Sequence, residues 1–345
     1  MKKYNVAVVG ATGAVGEELF RILEEMNFPV GNLLPLASAR SVGTNIEFAG
    51  KEYPVYELTT TVFEEHEVDI AFFSAGGSIS AEFAKYAVES GAVVIDNTSH
   101  FRMMPEVPLV VPEVNPEDIA LWRESGVIAN PNCSTIQMVQ VLKALDSVYP
   151  IKRVDVSTYQ ATSGAGKKGM EELVMQMQDF FAFKLDESEA KAFPHQIALN
   201  VIPQVDKAMP SGFTKEEEKM VYETQKIMHK PMKIAATCVR VPVLRSHSES
   251  VTVTFEHDID VDVDLCRDAI ANFENVTVID DLANSKYPMP IIATDTDLTY
   301  VGRIRKDIYD QNVLHFFNVA DQVRVGAATN AVRIGLKWIA MEGDE

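Results

Sequence analysis

The stretch YNVAVVGATGAVGEELFRILEE, Tyr4 to Glu25, joins two hydrophobic patterns through three glycines. Val6 to Val9 is a short, unbroken apolar run, as expected of a strand buried on both faces. Leu19, Ile22 and Leu23 then recur at helical spacing. Gly10, Gly13 and Gly16 stand between them as G-x-x-G-x-x-G. Glycines there permit a tight turn and let backbone approach a pyrophosphate at the helix N-terminus. A glycine triplet alone is a weak signal, but a strand before it and a helix after it make it strong. The stretch predicts a dinucleotide-binding unit at the start of the chain.

The next strand should end near LLPLASARS, Leu33 to Ser41. An NAD site usually carries an acidic residue there, for the ribose 2′-hydroxyl. This chain has Ser38, Arg40 and Ser41, which suit a 2′-phosphate, so the residues point to NADP. Taken alone, Arg40 could equally be a solvated loop arginine. VDIAFFSAGG, AVVIDNTSHFR and GVIANPNC read as further strands, and SAEFAKYAVESG as a helix stopped by Gly91. Such alternation predicts a doubly wound parallel sheet with ligands at the C-terminal strand ends.

One strand end leads into ANPNCSTIQMVQVL, Ala129 to Leu142. Ile136, Val139 and Leu142 repeat at helical spacing, which puts Cys133 near a helix N-terminus, where the dipole favours a thiolate. Most free cysteines are simply small buried hydrophobes. The strand-end position favours a thiol facing a nicotinamide instead. A cysteine beside a nicotinamide implies aldehyde or acyl chemistry through a thiohemiacetal and a thioester.

From about residue 150 the pattern changes to long alternating strands, RVDVSTYQATSGAG, KIAATCVRVPVL, SVTVTFEHDIDV and VLHFFNVAD. These suggest an α+β catalytic and dimerisation domain with a mixed or antiparallel sheet. VGAATNAVRIGLKWIAME reads as an amphipathic helix returning to the first domain. The expected division is 1–132 with 322–345 for cofactor binding, and 133–321 for catalysis. Gln160 sits at a turn, Arg240 inside an apolar strand where it needs an anionic partner, and His247 in a polar turn. Glu216 and Lys219 lie three apart on the helix TKEEEKMVYETQKIM, a spacing that elsewhere means only a solvated ion pair.

The 345 residues are 47% hydrophobic, with net charge −19. That supports sizeable cores and makes nucleic acid and anionic membranes unfavourable partners. No apolar run reaches the length of a membrane span. Three separated cysteines at 133, 238 and 266 fit a reducing, cytoplasmic setting better than a disulfide framework or metal cluster. An anionic ligand would need local cations.

GATGAVG, ASARSVG, NPNCSTIQ, STYQATSGAG, FPHQIALNVIPQVD, EEEKM, TCVRVPVLRSHSES, YVGRIRKD and GAATNAVRI occur in this order. Together they resemble the aspartate-β-semialdehyde dehydrogenase family, in its bacterial and archaeal type, over nearly the whole chain. The resemblance implies Cys133 as nucleophile, His247 as acid–base catalyst and Gln160 as orienting residue. It implies Arg240 for the substrate α-carboxylate, Glu216 for its amino group, and Arg102, Lys219 and Asn132 for phosphate. NADP would be held by the Gly10 turn with Thr12, Gly13, Ala14 and Val15, by Ser38, Arg40 and Ser41, by Ser163 and Gly164, and by Gln322, where the family often has asparagine. Glu217 and Glu218 are expected to be solvated.

The implied reaction is reduction of L-aspartyl-4-phosphate to aspartate 4-semialdehyde with release of phosphate, on the route to lysine, diaminopimelate, methionine and threonine. A homodimer is expected, with a tetramer left open, and no metal. N-acetylglutamyl-phosphate reductase is the competing enzyme; it would not need Glu216 for a free amine. Glyceraldehyde-phosphate dehydrogenase lacks support, since its acidic NAD-selecting residue is missing. A non-catalytic relative would not need Cys133, Gln160, Arg240 and His247 together.

Overall fold

The structure is a computed structural model describing residues 2–257 and 259–343. Two compact units divide the chain, residues 1–132 with 327–345, and residues 133–326. The return to the first unit thus begins at Ala327, later than the expected 322, and Gln322 belongs to the second unit.

The first unit contains β1 (Tyr4–Val9), α1 (Ala14–Glu25), β2 (Val30–Ala37), β3 (Asn45–Phe48), β4 (Lys51–Pro54), β5 (Tyr56–Glu57), α2 (Val62–Glu65), β6 (Ile70–Phe73), α3 (Gly77–Glu89), β7 (Val93–Asp96) and β8 (Val127–Ala129). Its main sheet runs β5-β2-β1-β6-β7-β8 and its paired strands are parallel. The strand order reverses direction at β1, where the glycine turn begins. Gly10 has φ +91°, open to glycine but strained for other residues. A Cβ on Gly16 would stand 2.2 Å from the Gly10 carbonyl oxygen, so α1 can pack this close to the turn only with glycine there. Leu19, Ile22 and Leu23 are fully buried, each worth roughly 1.5–3 kcal/mol. The β3–β4 hairpin has no distinct sequence signal and was not expected.

The second unit contains α4 (Cys133–Asp146), β9 (Ile151–Gln160), α5 (Lys167–Phe181), α6 (Lys215–Met228), β10 (Lys233–Arg240), β11 (His247–Phe255), α7 (Val263–Ala271), β12 (Val276–Val278), α8 (Pro290–Ala293), β13 (Thr299–Lys306) and β14 (Val313–Ala320). Its sheet runs β10-β9-β11-β14-β13-β12 and is mixed: β10 lies parallel to β9, whereas β11 is antiparallel to both β9 and β14. The strand expected through SVTVTFEHDIDV starts earlier, at His247, and ends at Phe255; Asp258, within that stretch, lies outside the described residues. His247 is therefore a strand residue, not a turn residue. Helix α9 (Thr329–Gly343) closes the first unit, and its Ala331, Val332, Ile334 and Trp338 join the core under β1 and α1.

Candidate active site

Strand direction assembles the site in the second unit. Gln160 ends β9, and Arg240, at the end of parallel β10, is its register partner. His247 opens antiparallel β11, so it comes to the same end of the sheet. Cys133 is the first residue of α4 and is half-buried, whereas Cys238 and Cys266 are buried. Burial raises both of those thiols, that of Cys266 to about 11, which leaves them poor nucleophiles.

Gln160 donates to Glu216 at 3.0 Å and accepts from the Thr158 hydroxyl at 3.0 Å. Lys219 donates to Glu216 at 3.0 Å and to Asp206 at 2.8 Å. Burial works against the Lys219 charge, but Glu216 and Asp206 outweigh it and hold the pKa above the ordinary lysine value. The Arg240 guanidinium donates to the Ala161 carbonyl at 2.5 Å. Burial pulls its pKa below the usual arginine value, against the opposing attraction of Glu216 and Cys133. Arg240 thus lies within electrostatic reach of the Cys133 sulfur.

His247 is fully buried, and its Nδ1 accepts the Ala161 N–H at 3.0 Å. The neutral ring therefore carries its proton on Nε2. Nε2 has no hydrogen-bond partner among the described residues. Burial and then the Arg240 charge push its pKa down to about 3. The sequence suggested an acid–base catalyst. Protonating this ring would set an Nδ1–H against the Ala161 N–H, so the geometry instead presents a neutral Nε2–H donor. A Cβ on Gly164 would lie 2.7 Å from Arg240 Nη1 and 3.3 Å from His247 Nε2. Gly164, expected to touch cofactor, thus leaves room for both side chains beside it.

Two further expectations change, those for Glu217 and Gln322, while that for Glu218 holds. Glu217 is buried: it forms a capping box with Thr214 and accepts the Cys238 N–H at 2.9 Å. Glu218 accepts from Ser211 on the exposed side, as a solvated residue can. The Gln322 amide is spent inside the protein, donating to the Ser163 hydroxyl and accepting the Ser246 N–H at 2.8 Å. It braces Ser163 rather than offering a free amide to a cofactor.

Within the first unit, Gly13 is the N-cap of α1 and no side chain caps that helix start. Its first-turn N–H groups are thus suited to a pyrophosphate. Ala14 and Val15 form that turn, and the Thr12 and Ser41 hydroxyls are 3.5 Å apart. Arg40 lies in a one-turn helix between Ser38 and Ser41; it is exposed and makes no ion pair among the described residues. These residues fit a phosphorylated dinucleotide. Arg102 is buried and donates to the Asn130 and Asn97 carbonyls at 2.9 and 2.8 Å, and Asn132 is buried.

Residues 5–122 match the semialdehyde dehydrogenase NAD binding domain and residues 142–325 the semialdehyde dehydrogenase dimerisation domain. The aspartate-semialdehyde dehydrogenase of Campylobacter jejuni is 64% identical over 341 residues, 99% of each chain. The chain belongs to the aspartate-semialdehyde dehydrogenase family. The Aquifex aeolicus aspartate-semialdehyde dehydrogenase is 51% identical over 96% of each chain. A solved structure of aspartate semialdehyde dehydrogenase II from Vibrio cholerae, complexed with ASA, matches with TM-score 0.94 at 44% identity, covering 99% of each chain.

For an aspartate-semialdehyde dehydrogenase, one residue missed in the sequence bears directly on the nucleophile. A Cβ on Gly326 would stand 2.6 Å from the Cys133 Cβ and 3.0 Å from its Cα. Only glycine lets the Arg324–Ala328 turn pass Cys133 this closely. Gly326→Ala should push the thiol aside and lower kcat about a hundredfold, the scale of a 1 Å misplacement. Steady-state kinetics check this, with circular dichroism to verify folding; near-normal kcat would show that the turn yields instead.

Proposed function

We propose that this aspartate-semialdehyde dehydrogenase uses NADP(H) to interconvert L-aspartyl-4-phosphate and aspartate 4-semialdehyde plus phosphate, through a Cys133 thioester. One observation carries the reading: Arg240 and His247 converge at the end of β9, with Arg240 in electrostatic reach of the thiol that opens α4. When bound, the nicotinamide supplies or accepts the hydride. The protein does the rest. The α4 N-terminus and Arg240 set positive potential at the sulfur, which favours attack as thiolate. Attack on the acyl carbon moves negative charge to its oxygen, and the His247 Nε2–H stabilises that charge by hydrogen bonding. Phosphate leaves as the thioester forms.

Arg240 takes the substrate α-carboxylate, and Glu216, oriented by Gln160 and Lys219, takes the amino group. An acetylated nitrogen carries no positive charge and would form no ion pair with Glu216, which disfavours the N-acetylglutamyl-phosphate reading. Lys219, Arg102 and Asn132 are assigned to phosphate. Cofactor contacts are assigned to the turn at Gly10, Thr12, Gly13, Ala14 and Val15, to Ser38, Arg40 and Ser41, and to Ser163 backed by Gln322. The dimerisation-domain match favours a homodimer, and three free thiols favour a reducing cytoplasm. No described helix is long and apolar enough to cross a membrane.

Phosphate-dependent NADP⁺ reduction, with aspartate semialdehyde compared with N-acetylglutamate semialdehyde, tests the assignment; preference for the acetylated compound refutes it. The cofactor is tested separately. Losing a charge-assisted contact in Arg40→Ala should weaken NADP binding about tenfold to a hundredfold and leave NAD binding nearly unchanged. Equal losses in a titration of both cofactors would remove Arg40 from 2′-phosphate recognition.

A further inference from the structure

Glu249 is fully buried, two residues beyond His247 on the same face of β11. Its register partners are Thr158 on β9 and Asn318 on β14. Gln137, one turn along α4 from Cys133, belongs to the same buried group. Its Nε2 donates to the His247 carbonyl at 3.3 Å, and Asn318 Nδ2 donates to the Gln137 carbonyl at 3.2 Å. The first bond ties the nucleophile's helix to the strand that carries the histidine, and the second ties that helix to the neighbouring strand β14.

The hydrogen-bond count in this group is uneven. Gln137 Oε1, Asn318 Oδ1 and both Glu249 oxygens are buried acceptors without a partner of good geometry. A carboxylate would add no donor, whereas a carboxylic acid supplies an O–H to an amide oxygen and leaves its carbonyl to receive an amide hydrogen. Unpaired buried polar atoms are costly, so the neutral acid is the form that fits.

We propose that Glu249 is a positioning residue: as a neutral carboxylic acid it locks the first turns of α4 against the start of β11, and so sets Cys133 against His247. This rests on the assignment of those two residues as the reacting pair. Burial raises the Glu249 pKa to about 8, with the Asn318 and Gln137 amides opposing. The ionisable neighbours supply no counter-charge. His247 on its own strand is neutral, and Cys238 across β9 has a raised thiol pKa. Glu216 and Glu217 on α6, near Cys238, are acidic. Above about pH 8 an unpaired carboxylate therefore forms under α4 and loosens the lock.

The direction for stability follows. An unfolded chain releases this proton near 4.5, the native one near 8. Between those values the native state holds the extra proton, so Glu249 makes stability fall as pH rises across that window, levelling off above it.

The test compares wild type, Glu249→Gln, which keeps shape and neutrality, and Glu249→Leu, which keeps bulk alone. The variants are assayed from about pH 6 to pH 10, with melting temperatures at about pH 5 and pH 8. Glu249→Gln should hold kcat within about threefold at neutral pH and move the alkaline fall in activity up by about one unit or more. Its melting temperature should exceed wild type by a margin that grows from the lower to the higher pH. Glu249→Leu should lower kcat about tenfold or more with KM nearly unchanged, and should slow iodoacetamide alkylation of Cys133. An unmoved alkaline limb in Glu249→Gln, or a constant melting difference, overturns the neutral lock. Near-normal kcat in Glu249→Leu overturns the positioning role. If wild type itself fails to turn over aspartate semialdehyde, the proposed function fails, and the melting and alkylation results still decide the role of Glu249.

Discussion

Cys133→Ala should remove turnover, with a loss of roughly 10⁴-fold or more in kcat, while cofactor still binds with its normal affinity. The magnitude follows from removing a covalent path, which the remaining groups cannot replace. No other cysteine can substitute. Cys238 and Cys266 are buried, and burial raises their thiol pKa values. Alanine is smaller than cysteine, so the close approach of Gly326 is not aggravated. Cofactor affinity is expected to survive because the glycine turn and Arg40 belong to the first unit and Cys133 opens the second. Fluorescence titration of NADPH and steady-state assay of one purified variant make the comparison. Residual dehydrogenase activity within a hundredfold of wild type would remove Cys133 from its role.

Arg240→Lys should lower kcat/KM for aspartate semialdehyde by about a hundredfold or more. Lysine keeps a charge but cannot offer two parallel N–H groups to a carboxylate, nor hold the Ala161 carbonyl while doing so. That carbonyl belongs to the residue whose N–H fixes the His247 tautomer. Arg240 also interacts electrostatically with Cys133. Alkylation of Cys133 by iodoacetamide should therefore slow as well, by severalfold, and less than catalysis. Near-normal kcat/KM would mean that Arg240 is no carboxylate clamp. Equal losses in alkylation and catalysis would assign it to the thiol alone.

What the sequence by itself determined is local. The Val6–Val9 run, the three glycines and the 3.6-residue repeat of α1 specify a strand, a turn and a helix from neighbouring residues, because strand and helix periods differ and only glycine fits φ +91° at Gly10. Cys133 at the start of α4 was legible for the same reason. Strand order in the second unit was not, and everything dependent on it was decided by tertiary structure. His247 looks like a loop residue until β11 pairs with β9 and the Ala161 N–H, 86 positions away, meets its Nδ1. Glu217 looks solvated within EEEKM until β10 brings the Cys238 N–H to it. Gln322 looks available to a ligand until Ser163 and Ser246 take both ends of its amide. Glu249 sits in a polar alternation, S-E-S, that suggests an exposed strand start, yet it is completely buried. Sequence spacing encodes which face of an element a residue occupies. Burial, tautomer and proton affinity depend on what covers that face, and here the covering residues lie scores of positions away.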